Sequence, residues 1–179
     1  MDPPGAVQPL LRVHQVREFT DEPVDPDALD AIADAARWSG SAGNAQPWRF
    51  VIVRRPDVLR QLAEAGLPST KALATAAAAI AIVMPQEKGS AVSHAYDEGR
   101  AAERILVASF LLDLGAGIAW FPSEARPRAG ELLGLPEGRF IRTIVAIGHP
   151  TTKAERPKSS HGEARLPRSE TVLSERWED

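Results

Sequence analysis

Three groups of polar or basic residues, far apart in the chain, have the types and spacing to hold an anionic ligand. The first is Arg12, His14, Gln15 and Arg17. The second is the run Ser41-Ala42-Gly43-Asn44-Ala45-Gln46-Pro47-Trp48. The third is a basic stretch near the C-terminus that contains Arg165. A guanidinium is a planar fork of donors that matches phosphate geometry. A Ser-Ala-Gly-Asn loop exposes backbone N–H and C=O groups and lets a flat ring come close. Asn and Gln each offer donors and an acceptor, which suits the edge of a heterocycle.

Other chemistries find little support. Gly115-Ala116-Gly117 opens like a dinucleotide fingerprint, but the third glycine is missing and a helical pattern, not a strand, precedes it. No G-x-x-x-x-G-K-[ST] phosphate loop occurs, and Gly40-Ser41-Ala42-Gly43 is not G-x-S-x-G. His14, His94, His149 and His161 lack ligand spacing, so no metal site is expected. Glu98 and Glu103 could be posed as paired carboxylates, but the expectation is a solvated helix face.

The elements that must position these groups follow from pattern. Leu10, Val13, Val16 and Phe19 recur every three residues and predict a short opening helix, ahead of it a loose tail over residues 1–9. Asp25-Pro26 starts a second helix running to about Trp38. Residues 48–53 read as a strand, 55–65 as a helix after Pro56, and 69–77 as an alanine-rich helix. The apolar run Ala79–Met84 predicts a central strand covered on both faces. His94–Leu114 gives the clearest helix, and its second half is apolar all round, which points to a subunit interface. Gly115 and Gly117 are expected to end it, before a strand over 118–121, a helix over 123–133 and a last strand over 140–147. From His149 to the C-terminus the chain reads as an extended basic arm, with Lys153, Arg156, Lys158, Arg165 and Arg168 among prolines.

Composition bounds the reading. The 179 residues suit one domain with a normal core, at 44% hydrophobic and 25% charged. Absence of cysteine removes disulfides, thiolate metal sites and a Cys nucleophile. A net charge of −3 and 6% aromatics argue against a nucleic-acid partner. Neither an apolar leader nor a membrane-length apolar run is evident, so a cytoplasmic location without membrane contact is expected.

The stretch SAGNAQPWRFVIV, the VREF segment and the closing ERW resemble the nitroreductase family of flavin enzymes. That family's loop has the form P-S-A-G-N-x-Q-P-W before a strand. Ser41 to Trp48 match it, and Gly40 stands in place of the leading proline. Its opening motif, R-R-S-x-R-x-F, is met here by Arg17 and Phe19, with Arg12 one place early in place of the first Arg. Residues 97–112 are similar to its long dimer helix. Residues 132–138 (LLGLPEG) and 147–150 (IGHP) are similar to two further signatures, and Arg165-Leu166-Pro167 keeps one residue of a C-terminal basic pair.

The resemblance implies an α+β nitroreductase-like fold: a mainly antiparallel sheet flanked by helices, with the C-terminal arm (149–179) of a domain spanning 10–179 swapped across a homodimer. It implies FMN at the dimer interface. Arg12, His14, Gln15, Arg17 and Arg165 would address the phosphate and flavin edge, and Gly40, Ser41, Ala42 and Asn44 would lie against the ring from the other subunit. Lys71 would stand at the pyrimidine, with Gly148 and His149 on the phosphate side. The implied activity is ping-pong hydride transfer from NADH or NADPH through flavin N5 to a small aromatic, quinone or nitro-type acceptor, with no catalytic side chain. Trp120 and Phe121 would shape the acceptor pocket or form strand core. A non-catalytic flavin store or sensor on the same fold is the alternative.

Overall fold

The computed structural model describes residues 3–86, 88–155 and 165–177. Its centre is the apolar run identified above. Strand β2 (Ala78–Pro85) has no polar side chain to place in water and is buried along almost its whole length. It pairs antiparallel with β1 (Arg49–Val53) on one side and β4 (Arg139–Gly148) on the other, and β4 pairs antiparallel with β3 (Gly115–Trp120). The order is β1-β2-β4-β3. Val51 lies opposite Ala81, Ile80 opposite Val145, and Gly117 opposite Ala146.

The two-residue period of a strand divides this sheet between two cores. Ala79, Ala81 and Val83 of β2 pack toward α3 (Pro56–Ala65) and α5 (Arg126–Leu132), with Leu59, Leu62 and Phe121. Ala78, Ile80, Ile82 and Met84 pack toward α2 (Pro26–Arg37) and α4 (Ala91–Leu111), with Leu29, Ile32 and Ile105. Asp25 caps α2, its carboxylate accepting from the Asp27 N–H at 2.9 Å, and Pro26 fills the first turn, where its missing N–H costs nothing. This is the expected α+β architecture with a wholly antiparallel sheet.

Several local expectations are corrected. Within residues 1–12, expected to hold a loose tail and the start of a helix, Pro3–Arg12 form the exposed helix α1, with Pro3 and Pro4 in the turn that tolerates proline. Val7, Leu10 and Leu11 on it stay exposed. Of the residues whose three-residue spacing suggested a helix from Leu10, Leu10 lies in α1, whereas Val13, Val16 and Phe19 follow it in non-helical backbone. Val16 donates its N–H to the Ala116 carbonyl at 2.8 Å, and Phe19 bridges to Pro150. β-Branched Val13 and Val16 give a helix little support, so pairing along the sheet edge prevails. Gly115 and Gly117 do not end α4; they lie in β3, where they leave room for that segment. A Cβ on Gly117 would collide with the Val16 carbonyl oxygen.

Helix α4 ends earlier, at Leu111, with Leu112 as its cap and Asp113 left-handed at φ 57°. The Leu114 N–H returns to the Ser109 carbonyl and the Asp113 N–H to Phe110, a Schellman closure. The alanine-rich stretch after Ser69 condenses to one 3₁₀ turn, Lys71–Ala74. The arm packs its first residues, 151–155, as a turn against the 14–18 segment and later forms the short helix α6 (Arg168–Thr171). Arg156, Lys158 and His161 lie outside the described residues.

Candidate functional site

The opening cationic group is assembled along the β3 edge. Gln15 carries two contacts there: its Oε1 accepts from the Ile118 N–H at 3.2 Å and from Arg17 Nη2 at 3.0 Å. Arg17 is thus steered by a side chain that is itself anchored to a strand amide. His14 lies between two carbonyls, with Nδ1 at 3.1 Å from Arg12 and Nε2 at 3.4 Å from Ala154. The Arg12 guanidinium stacks over the Phe110 ring of α4 at 5.7 Å. Arg12 and Arg17 remain exposed.

Two further candidates join this group through the backbone. The Phe19 N–H donates to the Thr75 hydroxyl at 3.3 Å, which docks the turn carrying exposed Lys71 against the same segment. The Thr20 N–H donates to the His149 carbonyl at 2.8 Å, and Phe19 covers Gly148, where a Cβ would stand 3.0 Å from its ring. His149 itself is half-buried, with Nε2 3.8 Å from a Glu22 carboxylate oxygen. Beside them the buried Thr151 hydroxyl has no hydrogen-bond partner among the described residues. The result is a ledge of two guanidiniums, two imidazoles, an amide and an ammonium, with a buried hydroxyl that has no partner among the described residues.

The second group stands elsewhere. Ala42 donates its N–H to both carboxylate oxygens of Asp97 at 3.2 Å, and Asp97 is buried in α4. Gly40 packs against the Arg100 guanidinium, one turn further along that helix. The loop between is tightly coiled: Gly43, Asn44 and Gln46 all have positive φ, and the Ser41 hydroxyl accepts from the Gln46 N–H at 2.9 Å. Asp97 and Phe110 are thirteen residues apart on α4, so the loop's anchor and Arg12's platform are separated by ~20 Å along the helix axis.

The structure therefore brings together Arg12, His14, Gln15, Arg17, Lys71, Gly148 and His149, and separately Gly40, Ser41, Ala42 and Asn44. Arg165 is exposed, beyond the undescribed stretch 156–164. Trp48 is core. Phe121 is fully buried and lines no surface, whereas Trp120 is 47% exposed. Among the described residues no cluster could hold a metal ion, and no helix is long and apolar enough to cross a membrane.

Sequence reasoning missed the supports. Asp97, Arg100, Phe110 and Thr75 hold the candidate groups in place. Glu98, expected in solvent, is buried at 1% exposure and paired with Arg142, whose guanidinium covers Trp120 at 5.3 Å. A signal existed: Glu98 shares a helical face with Ala101, Ala102 and Ile105, all buried. Nearby, burial holds the Arg126 guanidinium below its ordinary pKa, and the charge of Arg142 adds to this, against Glu98 and Glu124.

Comparison with known proteins is consistent with this geometry. A family model described as the nitroreductase family matches residues 14–96. A protein of Archaeoglobus fulgidus, provisionally named NADH dehydrogenase/NAD(P)H nitroreductase, is 34% identical over 142 residues, which is 75% of this chain and 79% of that one. The NADH dehydrogenase of Thermus thermophilus is 27% identical over 91% of this chain and 92% of its own. Among solved structures, an FMN-dependent nitroreductase of Clostridium difficile superposes with a TM-score of 0.82 at 22% identity, over 94% of this chain and 98% of that one.

Proposed function

Because the chain belongs to the nitroreductase family, we propose that it is a cytoplasmic NAD(P)H-dependent oxidoreductase that uses FMN and acts as a homodimer on a small aromatic, quinone or nitro-type acceptor. The observation that carries this reading is the separation of the two candidate groups along α4. On one chain the ledge and the loop are anchored ~20 Å apart along α4, more than the width of a single flat ring. Two copies related by a two-fold axis can bring the ledge of one against the loop of the other. The exposed apolar residues of α1 and the C-terminal end of α4 (Val7, Leu10, Leu11, Leu111 and Leu112) supply a surface for that contact.

The residues present fit a phosphorylated flat ring. The donor set of the ledge is cationic and forked, as a phosphate requires. The unpartnered Thr151 hydroxyl is a buried group that a ligand could satisfy. Arg12, His14, Gln15 and Arg165 would hold the phosphate end, with Gly148 and His149 beside them. Arg17 and Lys71 would place positive charge at the pyrimidine, where negative charge grows on reduction. Gly40, Ser41, Ala42 and Asn44 would line the ring from the second copy, the 149–179 arm reaching across.

Held by these residues, FMN would supply two-electron redox chemistry between a nicotinamide donor and the acceptor. The chain's task is to hold donor and ring within ~3–3.5 Å and to exclude competing partners. Purified protein supplemented with FMN should retain a stoichiometric yellow pigment, sediment as a dimer and bleach on addition of NADH or NADPH in stopped flow. A colourless monomer after FMN loading overturns the reading. A yellow dimer that fails to bleach identifies a flavin store instead.

A further inference from the structure

We propose that the cavity between α5 and the start of β4 is a second ligand site, one that takes a small aromatic carboxylate. The cavity has a volume of about 560 Å³, within the range of small-molecule sites. None of the residues assigned above to flavin lines it. Its wall is built from Gln86, Ser123, Arg126, Leu135, Arg139 and Phe140.

Two arginines line this space, and among the described residues each guanidinium makes one hydrogen bond. Arg126 donates Nε–H to the Phe121 carbonyl at 3.2 Å, and Arg139 donates from Nη1 to the Pro47 carbonyl at 2.9 Å. Each guanidinium has five N–H groups, so one bond apiece leaves a forked edge on both. Neither is in an ion pair among the described residues. The carboxylate on the rim, Glu131, is already taken by Arg128 at 3.1 Å. The Gln86 side-chain amide and the Ser123 hydroxyl also lack partners among the described residues.

The apolar part of the wall selects the rest of the ligand. Arg126 lies 5.6 Å over the Phe140 ring, which holds its plane fixed, and Leu135 adds an aliphatic surface. A planar ring bearing one carboxylate would meet a forked cation at its charged end and Phe140 with Leu135 along its body. Burial, with the charge of Arg142, holds the Arg126 guanidinium below its ordinary pKa despite Glu98 and Glu124, and a bound anion would add charge compensation at this partly buried cation.

Benzoate is the test probe, titrated into ¹⁵N-labelled, FMN-loaded protein. Amide shifts should concentrate at Gln86, Ser123, Gly130 and Phe140, and the flavin absorbance band reads any binding at the flavin separately. Arg126→Gln and Arg139→Gln should each weaken this binding by about tenfold or more, the loss expected for a charge-assisted contact. Arg139→Gln, with only one carbonyl bond to lose, serves if Arg126→Gln does not fold. Inorganic phosphate and benzyl alcohol should each bind at least about tenfold more weakly than benzoate, lacking the ring and the charge respectively. Shifts confined to residues 12–17 and 40–46, undiminished binding in Arg139→Gln, or phosphate binding as tight as benzoate would each overturn the proposal.

Discussion

At the scale of single residues, the side chains aimed outward were readable and those supporting them were not. Arg12, His14, Gln15 and Arg17 announce themselves by type and crowding. Nothing in the sequence says that Gln15 would anchor to the Ile118 amide and steer Arg17. Removing the guanidinium with Arg17→Ala should weaken FMN retention about tenfold, the size of one charge-assisted hydrogen bond, while thermal stability holds; fluorescence titration with FMN measures it. Glu98 gives the opposite case, since a helix-face acid is solvated by default. Here it is enclosed with Arg142, and one oxygen of the pair has no further partner. Glu98→Ala strands a half-buried guanidinium, and urea unfolding should show a loss of about 3 kcal/mol.

At the scale of elements, the strands and the capped helices were legible because local chemistry and final packing agree. Asp25-Pro26 caps α2 as its residue types demand, and β2 is central because it is apolar on both faces. Where tertiary contacts decide, sequence pattern fails. The segment after Arg12 has a helix-like apolar spacing, but its partner is the edge of β3, about a hundred residues away. The same contact explains Gly117, mistaken for a helix terminator. Gly117→Ala should cost about 1–3 kcal/mol in thermal denaturation and lower FMN retention as well, because the obstacle is the backbone that positions Gln15 and Arg17. The true terminator, Asp113, is a non-glycine residue in a left-handed site. Asp113→Gly should raise stability by about 0.5–1 kcal/mol with the FMN affinity unchanged.

At the scale of the whole molecule, four antiparallel strands carry helices on both faces, and part of the apolar surface left exposed lies on α1 and the C-terminal end of α4. The apolar second half of α4 was visible in the sequence, and the structure divides it: Ala101, Ala102 and Ile105 face the sheet while Leu111 and Leu112 are left outside. The proposed homodimer would cover that outer part. The division of the site into two distant halves could not be anticipated, because it depends on where Asp97 and Phe110 fall along one rod.

That rod acts as a gauge block. Because one end clamps the Ala42 amide and the other carries the Arg12 cation, its residue count sets both the spacing and the angular phase of the two halves. One extra alanine after Glu103 would twist the halves by about 100° relative to each other and shift them by ~1.5 Å. Such a variant should keep its far-ultraviolet dichroism yet lose pigment on gel filtration. Substitutions there are a matter of fit, whereas insertions and deletions are a matter of alignment, so among working relatives this stretch should drift in composition while holding its length.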